Sequence, residues 1–371
     1  MCGRYALALR ASQIRQMLQD DGMPVDCAVH DEDGPGAPRQ SYNFAPGYHG
    51  VVYRAETPDW GAGPRPQSHG GEEQGGDDAA AVGASQVRYK LQSMKWGLVP
   101  FWTKRNPDYQ TIMRTINCRE DSLSTPGGMW ASMKSRKRCV VIAQGFFEWL
   151  RTGPKDKLPH FVRRRDGRLM CFAGLWDCVQ YQGSDEKLYT YTIITTDSNA
   201  QLRFLHDRMP VIFSPGSDEV KQWLDPARCE WSRELQSLLR PYDGELQVYP
   251  VTKDVGKVGN NSPSFVVPLD SKENKSNIAN FFSGAQTGVG KETEPTSAAA
   301  AAAVKDEEPA GHAREKRKQP PPPTTGAGRP AKKLASEKAK LSATRNEHRS
   351  PKEAREPRSR KITSFFGSAS R

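Results

Sequence analysis

The sequence lacks any long run of apolar residues. Its hydrophobic stretches fall well short of the roughly 18 apolar residues that a membrane-spanning helix needs, so we expect neither a membrane span nor a membrane partner. The apolar run from Tyr5 to Leu9 is too short for the core of a signal peptide, and no secretory leader is expected. Hydrophobic residues make up only 36% of the 371 residues. That share is low for a fully folded chain and predicts a substantial disordered part.

Paired cysteines are also missing. The seven cysteines include no Cys-x-x-Cys pair of the kind that ligates zinc. This pattern argues against a disulfide framework and against a zinc site, so we expect no metal and no other cofactor. Unpaired cysteines are typical of a reducing compartment, the cytosol or the nucleus.

Positive charge is abundant and unevenly placed. Residues 311–371 hold 17 Lys and Arg against 5 Asp and Glu, and residues 88–168 hold 18 against 6. Basic clusters of this kind favour a polyanion partner, most often nucleic acid. For the inner cluster, a solvated charged face is an equally good interpretation.

Hydrophobic patterning predicts one α+β domain over residues 2–270, built on a curved, mainly antiparallel sheet or barrel with peripheral helices. Residues 60–87 are rich in Gly, Asp, Glu and Ala, which predicts a disordered surface insertion. Apolar content falls near Asp270, and residues 271–371 are expected to form a disordered basic tail. The predicted strands are Val51–Arg54, Lys95–Pro100, Cys139–Ala143, Pro159–Arg164, Leu169–Cys178, Leu188–Thr196 and Leu246–Val251, and the later predicted helices are Asp218–Leu224 and Glu230–Leu239.

The first residues carry a distinctive chemistry. Removal of Met1 would leave Cys2 with a free α-amine beside its thiol. The thiolate is a strong nucleophile, and the amine forms a Schiff base with an aldehyde. Together the two groups can close a thiazolidine ring on one aldehyde carbon. A Met-Cys start is a weak signal by itself, so other motifs must support this interpretation.

Several short clusters in the predicted domain offer further functional groups. Asn117 and Arg119 lie two residues apart and share a face if the segment is extended. Glu148 stands between aromatic neighbours, which predicts a raised pKa if the carboxyl is buried. His206 and Arg208 are again two residues apart. Each group also has a structural alternative, such as an ordinary ion pair for the carboxylate or a core position for the histidine.

Seven ordered motifs resemble those of SRAP domains, the SOS-response-associated peptidase family, over residues 2 to about 270. The motifs are Met-Cys-Gly-Arg at the start, Tyr42-Asn43-(x)2-Pro46, Lys95-Trp-Gly-Leu-Val-Pro, Asn117-x-Arg119-x-Asp121, Gly145-Phe-Phe-Glu-Trp149, Ala173-Gly-Leu-Trp176 and His206-x-Arg208-Met-Pro210. The resemblance implies a protein that senses abasic sites in single-stranded DNA and shields them through a covalent thiazolidine crosslink at Cys2. It also implies a DNA-damage role at replication forks or chromatin in the nucleus. We expect a monomer.

The resemblance also implies roles for individual residues. Cys2 is the expected nucleophile, Glu148 and His206 transfer protons, and Asn117 orients the sugar or the Cys2 amine. Removal of Met1 would be autocatalytic or the work of an aminopeptidase. Phosphate contacts or an ion pair with Glu148 are expected from the arginines Arg4, Arg119 and Arg208, and base contacts are expected from aromatic residues. The candidate DNA-binding residues are Arg4, Arg119, Arg208, Trp96, Trp149 and Phe101.

The tail carries a separate signal. Residues 275–282 and 359–366 share the spacing Ile-x-x-Phe-Phe, and the second copy contains Ile362, Phe365 and Phe366. This spacing resembles the PCNA-interacting peptide, which inserts one helical turn into a pocket of the sliding clamp. Both copies lack the usual Gln three residues before Ile, so their affinity for the clamp is open.

Two other functions remain open from the sequence. Glutamine amidotransferases also begin Met-Cys-Gly, but the chain shows neither their glutamine-binding loop nor a synthase domain. A non-enzymatic clamp or DNA adaptor would explain the tail but would leave the motifs around Cys2, Glu148 and His206 without a role.

Overall fold

The computed structural model describes residues 2–29, 31, 34–65 and 86–274. Most of the predicted insertion at residues 60–87 lies outside these ranges. Almost all of the predicted tail, including Ile362, Phe365 and Phe366, lies outside them as well. Within the described ranges, no helix is long and apolar enough to cross a membrane.

The described residues form short helices around two β-sheets. The strands are β1 (Tyr5–Leu7), β2 (Ser41–Phe44), β3 (His49–Ala55), β4 (Tyr89–Trp96), β5 (Asn117–Arg119), β6 (Arg138–Ala143), β7 (Gly145–Arg151), β8 (Lys157–Arg164), β9 (Met170–Gln180), β10 (Lys187–Asp197), β11 (Arg208–Pro210), β12 (Ile212–Phe213) and β13 (Leu246–Pro250). The α-helices are α1 (Ala11–Asp20), α2 (Tyr109–Met113), α3 (Glu120–Ser124), α4 (Ala131–Arg136), α5 (Asp218–Leu224) and α6 (Arg233–Ser237), and 3₁₀ turns cover Lys253–Gly256 and Pro263–Val266.

Five strands close into a barrel. The order β10-β4-β3-β6-β9 is completed by pairing of β9 back onto β10. Most pairs are antiparallel, but β10 runs parallel to β4 and to the short β5. A closed barrel leaves few free strand edges and surrounds a packed interior. The predicted fold class, α+β on a curved and mainly antiparallel sheet or barrel, is therefore confirmed.

The second sheet brings the start of the chain into the domain. Its strand order is β13-β8-β7-β1-β2, so β1 lies in the sheet between β2 and β7. The main apolar core includes Tyr5 from β1 and Phe146 from β7, together with barrel side chains. Phe147 and Phe161 belong to a second, smaller cluster. Alternation of side chains along β7 thus places successive residues in different cores.

The strand that contains the Lys-Trp-Gly motif differs from its prediction. We predicted Lys95–Pro100, but β4 begins at Tyr89 and ends at Trp96. Gly97 turns the chain with a φ of 113°, in the region that favours glycine. A Cβ atom at this position would lie 2.2 Å from the Cγ2 atom of Ile112. The apolar residues after Gly97 therefore belong to a tight turn rather than to the strand.

Candidate active site

Pairing of β1 with β7 places the start of the chain beside the acidic motif. Tyr5 lies opposite Phe146, and the backbone N–H of Phe147 donates to the carbonyl oxygen of Arg4 at 2.9 Å. Extending this antiparallel register brings the first residues of the chain next to Glu148. Two motifs that are distant in sequence are therefore neighbours in the sheet.

Cys2 is fully buried within this arrangement. Its Sγ–H donates to the carbonyl oxygen of Arg4 at 3.9 Å, and the Nδ2 of Asn117 donates to the carbonyl oxygen of Cys2 at 2.8 Å. Burial raises the pKa of the Cys2 thiol above its usual range, and the negative charge of Glu148 raises it further. The thiol is therefore protonated at neutral pH, and its attack on an electrophile requires a base.

Glu148 is a buried carboxyl at the rim of the main core, with 6% of its surface exposed. Burial raises the pKa of Glu148 from 4.5 to about 7. A carboxyl with a pKa in this range can both accept and donate a proton under physiological conditions. Extension of the register between β1 and β7 places Glu148 next to Cys2.

His206 lies on the loop that leads into β11. Its Nδ1 accepts a hydrogen bond from the backbone N–H of Arg208 at 3.0 Å and also lies 2.7 Å from the Oδ1 of Asp207. The first contact favours the neutral ring and the second favours the charged ring. Burial lowers the pKa of His206 below its ordinary value, and Asp207 is largely exposed to solvent. We therefore assign the neutral form at neutral pH, with the hydrogen on Nε2.

Arg4 and Asn43 support the site through hydrogen bonds. The Nη1 of Arg4 donates to the Oδ1 of Asn43 at 2.5 Å and to the carbonyl oxygen of Val255 at 2.9 Å. The guanidinium carbon of Arg4 also lies 5.7 Å from the ring centroid of Trp149. Asn43 itself donates to the carbonyl oxygens of Lys257 and Asn260. Arg4 thus orients the Trp149 ring in addition to any contact with DNA.

Strand β10 brings the other two predicted arginines to one edge of the barrel. Arg119 on β5 lies opposite Thr195 of β10, and Arg208 on β11 lies opposite Asp197 of β10. Arg119 is exposed and pairs with Asp121 at 2.7 Å, a surface pair that contributes little to stability. Its guanidinium remains accessible to a phosphate.

Arg208 is buried and committed to several acceptors. Its Nη2 donates to the Oε2 of Glu120 and to the carbonyl oxygen of Thr195, both at 2.6 Å, and its Nη1 donates to Asp197 at 3.1 Å. These contacts hold β10, β11 and α3 together. Its role as a DNA ligand stays a prediction, and the alternative of a pair with Glu148 is replaced by pairs with Glu120 and Asp197.

A cavity of about 650 Å³ opens at this edge. Its lining includes Trp149, Arg119, Arg208 and His206, and it continues onto Arg151, Phe204 and the residues beside them. Cys2 has no exposed area and does not line the cavity. Four of the predicted site residues therefore share one cavity, next to the buried pair formed by Cys2 and Glu148.

The two remaining aromatic predictions have different outcomes. Trp96 is fully buried, its Nε1 donates to the carbonyl oxygen of Ile116 at 2.9 Å, and its ring lies parallel to that of Tyr191. Its prediction as a base-stacking residue is wrong, because a ring without exposed surface cannot contact a base. Phe101 is 54% exposed and lines a separate cavity of about 280 Å³ with Trp102. Its DNA-binding role stays a prediction.

The sequence interpretation did not identify Phe204 and Arg151, which line the cavity of about 650 Å³. Phe204 lies on an irregular loop outside the quoted motifs, and Arg151 is the last residue of β7. The available signal was proximity in sequence. Phe204 lies two residues before His206, and Arg151 lies two residues after Trp149. Among the described residues, no group of three or more His, Cys, Asp or Glu side chains is placed to hold a metal ion.

Comparison with known proteins adds an independent observation. The model of the family described as SOS response associated peptidase (SRAP) matches residues 1–258. The chain belongs to the SRAP family. The abasic site processing protein YMR114C of Saccharomyces cerevisiae is 37% identical over 289 residues, which cover 72% of this chain and 68% of the relative. HMCES of Gallus gallus, also named an abasic site processing protein, is 31% identical over 297 residues, with coverage of 73% and 78%.

SRAP membership is accompanied by a similarity in fold. A solved structure of a protein from Bacteroides thetaiotaomicron matches with a TM-score of 0.51 at 22% identity, and the match covers 72% of this chain and 99% of that protein. At this identity the match concerns the fold alone. It agrees with the sheet and barrel architecture of this SRAP chain.

Proposed function

We propose that this SRAP protein processes abasic sites in single-stranded DNA by capturing the ring-opened sugar covalently at Cys2. Two relatives that share at least 31% identity with the chain are named abasic site processing proteins. The observation that carries the proposal is the register of β1 on β7, which brings Cys2 beside Glu148, together with the hydrogen bond from Asn117 to the Cys2 carbonyl oxygen. A cavity lined by aromatic and basic side chains opens next to this pair.

The first step is hydrolysis of the peptide bond between Met1 and Cys2. Water adds to the carbonyl carbon of Met1, and the bond to the nitrogen of Cys2 breaks, which releases methionine and a free α-amine. Glu148 would act as the base for this water if the step is autocatalytic. An aminopeptidase would give the same amino terminus.

Capture then proceeds in two bond-forming steps. The Cys2 amine attacks the aldehyde carbon of the opened sugar, and loss of one water gives an imine. The sulfur then adds to the imine carbon and its proton passes to the nitrogen, which closes the thiazolidine. The amine reacts first because burial keeps the thiol protonated.

Three side chains support these steps. Glu148, with its pKa raised to about 7, accepts the proton of the thiol and donates one to the departing water. His206 holds a neutral ring whose Nε2–H can donate to the sugar oxygen. Asn117 fixes the Cys2 backbone, and its Oδ1 is buried without a hydrogen-bond partner among the described residues. A sugar hydroxyl or the amine N–H would satisfy this oxygen.

The decisive test uses the full, tag-free chain. The protein is incubated with single-stranded DNA that carries one abasic site and is resolved on a denaturing gel. We expect a covalent band for the parent chain, no band for Cys2→Ala, and no band with intact DNA. A band of unchanged intensity in Cys2→Ala would refute capture at this residue. Cys139→Ala is the matched control, because this cysteine is also fully buried but lies in the barrel.

Intact-mass measurement tests the first step separately. We expect the purified chain to lack Met1, and we expect a peptide fused before Cys2 to abolish the covalent band by occupying the amine. Retention of Met1 together with full crosslinking would exclude the thiazolidine, which needs a free amine.

We also propose a nuclear location, a monomeric state, and binding of the replication clamp through the second Ile-x-x-Phe-Phe segment, which contains Phe365 and Phe366. The spacing and the basic flanks of this segment support the partnership. Changing both phenylalanines to Ala should weaken binding to immobilised clamp and leave crosslinking unchanged. The same changes at Phe281 and Phe282 test the first copy, and clamp binding that survives both pairs of changes would reject the partnership.

A further inference from the structure

Phe204 is an aromatic residue that the proposed reaction does not use. It lies on the loop between β10 and β11, two residues before His206, and 57% of its surface is exposed. It contributes to the lining of the same cavity as His206 and Trp149. Single exposed aromatic residues are common on protein surfaces, so the informative feature of Phe204 is its position at this cavity.

The Phe204 ring is supported by a buried histidine. The ring of His160 meets it edge to face, with 6.1 Å between the centroids and an interplanar angle of 80°. His160 is 7% exposed, and its Nδ1 lies 3.0 Å from the carbonyl oxygen of Leu158. The opposite residue on β7 is Glu148. One side of the Phe204 ring is therefore packed on the sheet of the site, while the rest remains open to a ligand.

Cationic side chains outnumber acidic ones around the Phe204 ring, although Asp207 also lines the cavity. Arg151 and Arg119 are exposed and line the same cavity, and Arg203 precedes the ring in sequence with its side chain exposed. Aromatic faces beside guanidinium groups are the arrangement that binds single-stranded nucleic acid, because bases stack on the rings while cations contact phosphates. A cavity of about 650 Å³ also lies within the size range of ligand pockets, roughly 300–1,000 Å³.

We propose that Phe204 stacks on the nucleobase adjacent to the abasic site and thereby positions the opened sugar over Cys2. The proposal rests on the proposed function and adds a base-binding subsite to it. An abasic nucleotide has no base of its own, so the neighbouring base supplies the nearest aromatic surface for recognition. Phe204 acts as a substrate-binding residue in this role, and His160 positions its ring.

The test compares variants on matched substrates. Initial crosslinking rates are measured at low DNA concentration for the parent chain, Phe204→Ala and Phe204→Tyr. The substrates carry one abasic site flanked by adenine on both sides, or by a stable baseless tetrahydrofuran unit on the 5′ side or on the 3′ side. Trp60→Ala is the matched control, because Trp60 is an exposed aromatic residue that does not line this cavity.

We expect Phe204→Ala to slow crosslinking by at least ~5-fold on the adenine-flanked strand, in line with measured base–aromatic stacking. This difference should vanish on one of the two tetrahydrofuran strands, which identifies the side of the stacked base. Phe204→Tyr should retain the parent rate, and Trp60→Ala should behave as the parent on every strand. A loss that is equal on all three strands would overturn the proposal, since it would reflect a structural role.

A binding measurement in the Cys2→Ala background separates stacking from chemistry. A strand with 2-aminopurine beside a tetrahydrofuran unit should be quenched by the Cys2→Ala chain and not by the Cys2→Ala, Phe204→Ala chain. Equal quenching by both chains would contradict the subsite. If the parent chain gives no covalent band, the proposed function fails; if it crosslinks without dependence on Phe204, the subsite alone fails.

Discussion

Single residues at this site combine burial with reactive groups. Cys2 has no exposed surface, and Glu148 has very little, so both belong to the rim of the core rather than to an open cleft. Burial raises the pKa of both groups, which keeps the thiol neutral and places the carboxyl near physiological pH. The same burial that brings the pKa of the carboxyl near physiological pH makes its ionised form costly.

This cost gives a prediction for Glu148→Gln. The pKa of Glu148 in the folded protein, about 7, lies above the ordinary value of 4.5. The contribution of this carboxyl to the stability of the fold is therefore fully present below pH 4.5 and is lost as the pH rises through 7. Gln remains neutral throughout. The free energy of unfolding of the variant should therefore exceed that of the parent by up to roughly 3 kcal/mol at a pH of about 8, and by little or nothing at a pH of about 4.5.

Urea denaturation across this pH range measures the difference for Glu148→Gln, and crosslinking should be lost at every pH. Glu245→Gln is the control, since this carboxylate is largely exposed and pairs with Arg165 at the surface. The control should show no comparable dependence on pH. An advantage of Glu148→Gln that grows toward acid pH would contradict the assigned direction of the pKa shift.

At the scale of elements, strand β10 organises the site. It pairs with β4, β5, β9 and β11. The two shortest of these partners, β5 and β11, carry Asn117, Arg119 and Arg208. Most of the long strands were predictable from apolar runs, and α5 begins and ends at the predicted residues. Strand β7, which carries Glu148, was not among the predicted strands. The short strands β1, β2, β5, β11 and β12 were missed as well, because a few residues are too short for a periodic pattern.

The turn after β4 gives a prediction at this scale. Gly97→Ala should destabilise the domain by roughly 2–4 kcal/mol, because its φ is 113° and the new Cβ would lie 2.2 Å from Ile112. The variant should also slow crosslinking if Phe101, a predicted DNA-binding residue a few positions after Gly97, contacts the strand. Urea denaturation and the gel assay measure the two effects.

Gly127→Ala separates backbone strain from steric overlap. Gly127 has a similar positive φ of 80°, but nothing lies within 4 Å of a Cβ at this position. Its substitution should cost only about 1 kcal/mol, the penalty of the left-handed backbone. Equal losses for the two variants would show that the contact with Ile112 has no influence on stability.

For the whole molecule, the unequal distribution of charge predicts two contributions to DNA binding. Residues 88–168 belong largely to the described domain, whereas residues 311–371 lie beyond it and carry their own excess of basic residues. Each phosphate contact releases counterions, so the logarithm of the binding constant falls with the logarithm of the salt concentration. Lys and Arg side chains in both regions should make the dependence of DNA binding on salt concentration steeper.

A chain shortened to residues 1–274 should therefore bind single-stranded DNA with a smaller salt slope than the full chain. The slope should change by roughly 0.7 for each phosphate contact that is lost. Fluorescence anisotropy in the Cys2→Ala background measures binding without crosslinking. The shortened chain with Cys2 intact should still crosslink abasic DNA, and an unchanged salt slope would show that the tail makes no phosphate contacts.

The sequence by itself determined the chemistry that is available and most of the long elements. The thiol of Cys2, the carboxyl of Glu148, the apolar runs of the barrel strands and the excess of basic residues are all local properties. Only the tertiary structure decided which groups meet. The register between β1 and β7 placed Cys2 beside Glu148. Closure of the barrel buried Trp96, and a loop placed Phe204 at the cavity. These outcomes depend on strand pairing and side-chain direction across long sequence separations, which a local pattern does not contain.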